Sequence, residues 1–361
     1  MSTPKSICFF NHKGGVSKTT TTFNIGWQLA NTGKKVMMVD LDSQCNLTGI
    51  ILGYGACKED EDLENFYQSK RHLTMEDIVS ALINGDSAEG FVSSSIGQLT
   101  TTSNSNLFLL PGHLNVSDLD SQISVALKIA QGVPATKKIP AGLPKIITLL
   151  ADKYGVDYIL YDLSPNVGGL NEVILMSSDY FIVPTSPDFF CWQAIGSLER
   201  NIKKWHKELR IFKEMNDFDK DKSYAIKNAP QFLGTIQQRY RPRNGNPAKS
   251  FEDWIIKIRQ EVANKLVPVL RNLNCIVDEN KIMEVLSEDR LEPYDLAHIA
   301  DFNSLIAISQ QYQVPIYELT REQIASARQF GHALNTMEKS RDAFNEEFEA
   351  LTRRIIALTC D

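Results

Sequence analysis

The sequence predicts an α/β fold in which a mostly parallel, twisted sheet is flanked by helices. Three runs predict it. Ser6-Ile7-Cys8-Phe9-Phe10 is apolar and aromatic-rich, as a buried strand is. After a glycine-containing turn, Thr21 to Asn31 carries Phe23, Ile25, Trp27, Leu29 and Ala30, a helix that Gly33 closes. Lys34 to Asp42 is a second strand, and the interval suits one βαβ crossover, hence parallel pairing. Asp157-Tyr158-Ile159-Leu160-Tyr161-Asp162 is a third strand that, like the second, closes on aspartate. Ligands gather at the carboxyl ends of strands in such sheets, so Asp40 and Asp42 are expected to face the first turn.

That turn is Asn11-His12-Lys13-Gly14-Gly15-Val16-Ser17-Lys18-Thr19-Thr20. Strand, glycine turn and helix together cradle a phosphate chain. Backbone N–H groups point inward, and the helix N-terminus adds partial positive charge. Lys18 offers an ammonium for β- and γ-phosphates, and Thr19 a hydroxyl for Mg²⁺. The strict P-loop pattern has Gly where Ser17 stands, and a second lysine, Lys13, sits near the start of the loop. In this form the loop resembles the deviant Walker A of the ParA/MinD family of ATPases.

The resemblance implies a P-loop NTPase fold that uses ATP and Mg²⁺, with Lys13, Gly14, Gly15, Val16, Ser17, Lys18, Thr19 and Thr20 around the phosphates. Lys13 matches the family's signature lysine, which crosses a dimer interface to the partner's nucleotide. Asp40-Leu41-Asp42-Ser43-Gln44-Cys45-Asn46 is similar to the family's Asp-x-Asp-Pro-Gln-Gly-Asn, with Ser and Cys in place of Pro and Gly. That match implies that Asp42 orients or activates the attacking water beside the metal. Asp162-Leu163-Ser164-Pro165 looks like the Walker B strand end, whose carboxylate holds Mg²⁺ through water, and Gly168-Gly169 then reads as a mobile stretch sensing the γ-phosphate. Tyr180 to Asp188 is another strand, and the resemblance puts its Pro184 turn near base and ribose. Gln238, ending a strand over Phe232–Gln238, stands where relatives carry a base-contacting Asn.

Elsewhere the reading is coarser. Lys58 to Asp62 is a charged loop, and Thr74 to Ile83 a capped amphipathic helix ended by Asn84-Gly85. Ser93 to Asn106 is polar loop with a short strand near Ile96 to Thr102. Leu107 to Gly112 is a strand ending in Pro-Gly. Gln131 to Pro144 is punctuated as a loop, with a helix from about Lys145 to Lys153 after it. Leu198 to Met215 is a helix. Asp301 to Ile306 and Val314 to Leu319 belong to the tail, the second resembling a segment near the end of ParA-type ATPases, and one long helix runs from Gln323 to about Leu358. The expectation is a single ATPase domain over 1–361, with insertions near 55–105 and 208–230 and a C-terminal helix.

Bulk properties narrow the function classes. With 361 residues, 43% hydrophobic and 23% charged, the chain has the make-up of an ordinary globular protein. Its net charge of −6 gives no general attraction to nucleic acid or anionic membrane, so such binding needs a local patch. Six cysteines without paired short spacings form neither a disulfide framework nor a zinc site. No signal-peptide pattern and no apolar run near the ~18 residues of a spanning helix are present. The chain reads as cytoplasmic, with nucleoid association implied by DNA-binding relatives.

The leading function is ATP hydrolysis used as a timer. The resemblance implies a homodimer clamped by ATP, released by hydrolysis, stimulated by a cognate partner protein, and binding DNA non-specifically in partition or positioning of a cargo. The candidate DNA contacts are Arg200, Lys203, Lys204, Lys207 and Arg210 on one helix, with Arg239, Arg241 and Arg243 in a basic loop. Trp205 and Tyr240 are interleaved for stacking. A MinD-like membrane role would use the stripe Phe344, Phe348, Leu351, Ile355 and Ile356, but interrupting glutamates favour core packing, and a membrane partner is not expected. A regulatory ATPase subunit of a larger system is a further alternative. The iron-protein branch of the scaffold needs cluster cysteines after Asp162, and Asp162 to Asn171 has none.

Overall fold

The computed structural model describes residues 3–53, 66–67, 69, 71–94, 97–129, 138–215, 226–240, 242–243, 246–247, 249–328 and 330–360. β1 (Lys5–Phe9), α1 (Lys18–Asn31) and β2 (Val36–Leu41) form the opening βαβ unit. α2 (Asn46–Leu52) follows the carboxylates that end β2. α3 (Met75–Asn84) starts where the Asp77 carboxylate accepts the Thr74 N–H at 2.9 Å, a capping box, and stops at left-handed Gly85. α4 (Ala88–Ser93) and the two-residue β3 (Thr100–Thr101) lie in the segment expected to be an insertion, and β4 (Leu107–Leu110) ends at Pro111. The expected charged loop Lys58–Asp62 lies outside the described residues, as does 216–225 of the second insertion.

α5 (Val116–Ile129) and α6 (Lys138–Tyr154) lead into β5 (Tyr158–Leu163). α6 corrects the expected loop across Pro140, Gly142 and Pro144. Pro140 sits in the first helical turn, where a backbone N–H would have no intrahelical acceptor, so proline's lack of one costs the helix nothing. Gly142 lets Leu82 of α3 approach so closely that a Cβ would lie 2.5 Å from its Cδ2. α7 (Gly169–Ser177), β6 (Tyr180–Thr185), α8 (Phe189–Met215) and β7 (Gln231–Tyr240) follow. α8 begins nine residues before the expected Leu198, capped by Asp188, whose carboxylate accepts the Cys191 N–H at 2.9 Å.

A small hairpin, β8 (Pro242–Arg243) with β9 (Asn246–Pro247), precedes α9 (Lys249–Glu261). α9 runs through a π turn, Val262–Leu266, into α10 (Val267–Asn272); α11 (Glu279–Glu288) and β10 (Asp295–Ala300) come next. After α12 (Leu305–Tyr312) come a 3₁₀ turn at Ile316–Glu318, α13 (Arg321–Ser326) and α14 (Gly331–Thr359). The single long tail helix is therefore two. Arg328 and Gly331 both take positive φ, which breaks helical continuity between them.

The main sheet has eight strands in the order β10-β7-β6-β1-β5-β2-β4-β3, parallel throughout except for β3. β1 is central and buried, between β5 and β6. Register aligns Asp162 with Phe9 on one side and with Asp40 on the other, so the carboxylates reach the same edge as the phosphate loop. α14 seals the far side with Phe344, Phe348, Leu351 and Ile355, all buried, and Phe302 packs 4.8 Å from the Phe344 ring. This stripe is core, which removes it as a membrane-binding face. Arg354, also buried, donates to Asp289 at 2.7 Å and to the Leu296 carbonyl at 2.7 Å, fastening α14 to β10. No helix among the described residues is long and apolar enough to cross a membrane.

α1 lies directly on the sheet through Gly26, where a Cβ would meet Met38 Sδ at 2.7 Å and Leu160 Cδ1 at 3.3 Å. Gly26→Ala should therefore destabilise by about 1–3 kcal/mol through overpacking, against its better helix propensity. Urea unfolding of the two proteins checks this, and an unchanged or higher midpoint would refute it.

Candidate functional site

The loop after β1 folds around its own lysine. Lys18 opens α1, is 7% exposed, and donates through Nζ to the carbonyls of Asn11 (3.0 Å) and Lys13 (3.3 Å). Burial lowers its pKa, while Asp162 and Asp42 raise it. Ser17 takes φ 59, ψ 30, the left-handed conformation that explains why the strict pattern wants glycine there. Asn11 is the brace that residue-type reasoning passed over. Its Nδ2 donates to the Pro184 carbonyl at 2.9 Å and its Oδ1 accepts the Lys13 N–H at 3.0 Å, tying the loop to β6. Pro184 thus lies inside β6 and supports the loop through its backbone. Thr19 and Thr20 follow Lys18 in the first turn of α1, half-buried.

Asp162 has no exposed surface, and neither carboxylate oxygen has a hydrogen-bond partner among the described residues. Burial pushes its pKa well above the usual range, and neighbouring Asp40 adds to this; Thr19 and Lys18 act in the opposite direction. An orphaned buried carboxylate beside a threonine hydroxyl and an anion-binding loop fits a Mg²⁺ that takes its remaining ligands from phosphate and water. Among the described residues no cluster of three or more His, Cys, Asp or Glu could hold a metal by itself.

The two carboxylates that end β2 have different tasks. Asp40, expected to face the loop, is instead taken up by Thr48, whose N–H (2.8 Å) and hydroxyl (2.7 Å) both donate to Oδ2. Burial still pushes its pKa up to about 6. It anchors α2. Asp42 is nearly buried, accepts the Gln44 N–H at 3.0 Å through Oδ1, and is close enough to influence both Lys18 and Asp162.

Lys13 is half-buried and pairs with Asp188 of the same chain, Nζ to Oδ2, at 2.6 Å. Asp188 was not foreseen, although Ser186-Pro187-Asp188 before an apolar run is a helix-start signature. Gly14 lies 3.9–4.0 Å (as a virtual Cβ) from Pro165, so the segment after β5 touches the loop. That segment is more anchored than its glycines suggested. Leu170 N–H donates to Asp120 at 2.7 Å and Gly169 N–H to Ser124 Oγ at 2.9 Å. A Cβ on Gly168 would lie 2.2 Å from Asp120 Oδ2, so the glycines serve close packing of α5.

Gln238 is buried and donates through Nε2 to the Thr21 hydroxyl on α1. Arg239, expected in a DNA-binding loop, donates through Nη1 to the Gly15 carbonyl at 2.7 Å. Arg241 lies outside the described residues, and Arg243 is described only as backbone in β8. Arg200, Lys203, Lys204, Lys207 and Arg210 are exposed along one side of α8, with Lys204 and Arg210 3.8 Å from Glu208 and Glu214. Trp205 faces inward, 2% exposed and 5.6 Å from the Phe10 ring, so it is not available to stack on a base. His12 lies between loop and helix. Burial lowers its pKa, with Lys18 and Arg200 adding to the effect.

A family model described as an AAA domain matches residues 4–215, more than half of the chain and the whole span of this loop, both aspartates and α8. The chromosome-partitioning ATPase Soj of Treponema pallidum is 28% identical over 200 residues, 55% of this chain and 64% of Soj. The chain belongs to the ParA/MinD family of P-loop ATPases. It spans 60 and 64% of the length of the first two curated relatives it matches. Among solved structures, protein DIP2308 of Corynebacterium diphtheriae shares the fold with a TM-score of 0.67 at 19% identity, covering 98% of this chain and 99% of that one. The ATP complex of a Cyanothece McdA variant does so with a TM-score of 0.54 at 15% identity, covering 96 and 98%. In this chain the glycine-rich loop, Asp42 and Asp162 lie together where β1, β2 and β5 end.

The buried Asp162 charge destabilises the nucleotide-free protein once pH rises above the unfolded carboxylate pKa of 3.8, because the folded pKa is raised. Asp162→Asn should therefore raise the nucleotide-free Tm at pH 8, with a shrinking effect toward pH 4, and abolish stabilisation by Mg²⁺ plus nucleotide. Scanning calorimetry across pH tests it, and a lower Tm at pH 8 would contradict the assignment.

Proposed function

We propose that this protein binds ATP with Mg²⁺, dimerises around the nucleotide and hydrolyses it as a timing switch in partition or positioning of DNA or another cargo. The observation that carries this is the convergence of Lys13, Lys18, Asp42 and the orphaned carboxylate of Asp162 on one loop. Thr19 and Asp162 would hold the metal, which supplies charge neutralisation on the phosphates. Lys18 would balance charge on the β- and γ-phosphates from beneath the loop, and Asp42 would orient the attacking water, with Oδ1 already fixed by Gln44. Lys13, released from Asp188, would reach the partner's nucleotide. The names of Soj as a partitioning ATPase and of McdA in complex with ATP support the same reading.

The DNA-binding surface proposed for the dimer is the basic face of α8. Arg200, Lys203, Lys207 and Arg210 recur at helical spacing while Leu198, Ile202, Trp205, Leu209 and Phe212 pack inward, so the charge is held on a rigid element. Contact is to phosphate, without base stacking.

Lys18→Ala should lose nucleotide binding. Asp42→Ala should keep ATP and stay dimeric with turnover reduced by about a hundredfold or more, and Lys13→Ala should hydrolyse similarly poorly. Phosphate release and light scattering with ATP test the set. Full turnover and ATP-dependent dimerisation in Lys13→Ala would remove the trans-acting lysine. For DNA, each α8 charge replaced by Ala should lower the log affinity against log salt slope by about 1 where that group contacts phosphate. Absence of ATP-stimulated binding at low salt would reject the α8 surface.

A further inference from the structure

β7 ends irregularly. Ile299 of β10 pairs with Gln238 and Ala300 pairs with Tyr240, so Arg239 is an extra residue in the ladder, a bulge. Arg239 also has φ +61, a conformation that disfavours side chains other than glycine by roughly 1–2 kcal/mol. Bulges re-aim side chains, and this one turns the guanidinium away from the sheet onto the phosphate loop, at the Gly15 carbonyl. Gln238, one residue earlier, grips Thr21 of α1. Two consecutive residues of β7 thus hold the loop on one side and the helix it feeds on the other.

The bonded oxygen belongs to the Gly15–Val16 peptide. In a trans peptide the N–H points opposite to the C=O, so fixing the Gly15 oxygen outward fixes the Val16 N–H inward. Gly15 itself has φ +73, and next to a glycine such a peptide turns over easily. Turned over, it would present an oxygen to the phosphate and oppose binding. A charged donor on the oxygen also polarises the peptide, strengthening its N–H as a donor to an anion.

We propose that Arg239 is a positioning residue for phosphate binding, holding the Gly15–Val16 peptide with its N–H turned into the loop. This rests on the nucleotide-binding role assigned to the loop above, and it takes Arg239 out of the DNA-contacting set. Titration of the full chain with a fluorescent ATP analogue and Mg²⁺ tests it, alongside nucleotide-free Tm. Arg239→Ala should weaken binding about tenfold, the effect of losing one charge-assisted hydrogen bond, with unchanged Tm. Arg239→Lys, which keeps a charged donor, should recover most of that loss. Wild-type nucleotide affinity in Arg239→Ala overturns the proposal, whether or not DNA binding falls. A loss that Arg239→Lys leaves unrecovered, or that comes with a lower nucleotide-free Tm, overturns it too. Lys18→Ala separates the two layers: if it binds the analogue normally, the nucleotide role of the loop fails independently of Arg239.

Discussion

Burying an ammonium and a carboxylate at the same sheet edge without letting them pair is the constraint on which this molecule depends. Lys18 donates to the Asn11 and Lys13 carbonyls, and neither Asp162 oxygen has a hydrogen-bond partner among the described residues. Each buried charge is expensive in isolation, and mutual attraction only partly offsets that. The sheet order explains how they come so close: β1 lies between β5 and β6, so the loop emerging from it has Asp162 at one flank and Pro184 at the other. Such a site is unfavourable when empty and gains from any ligand that brings anionic oxygens and a divalent cation together.

Around this centre the fold distributes control to residues that hold the loop without being part of it. Asn11 bonds both to the loop and to β6, Pro165 touches Gly14, and β7 reaches over through Gln238 and Arg239. Lys13 is the exception. Its ion pair with Asp188 also connects it to the first turn of α8, because Asp188 caps that helix with its other oxygen. The helix carrying the basic face therefore starts at the residue that holds Lys13. Any move of Lys13 away from Asp188 changes the charge balance at that start.

How much of this was legible in the sequence depended on how local each signal is. The loop, β1, β2 and β5 could be read because glycine, lysine and aspartate carry their meaning within a few residues. α6 could not, since Pro140, Gly142 and Pro144 are loop formers until α3 is known to press against Gly142. Trp205 sat among lysines in the sequence, yet the helical period turns it toward Phe10. Gln238 was assigned from the resemblance and Arg239 from the basic run around it, whereas Gln238 reaches Thr21 of α1 and a bulge with a left-handed φ sends Arg239 to the loop. Asp40 and Asp42 were both expected to face the loop, and the resemblance singled out Asp42 for the water. What the sequence did not carry was the partner of Asp40, Thr48, which makes it the anchor of α2.

The place of β1 in the sheet has a consequence for synthesis. Its partners are β5 and β6, and the Asn11 brace spans 173 residues to Pro184. The nascent chain therefore exposes its glycine-rich loop long before the strands that shape it leave the ribosome. Such non-local pairing folds slowly, and the apolar β1 and α1 are uncovered meanwhile. The loop gains its full set of braces only after β6 and β7 have been made.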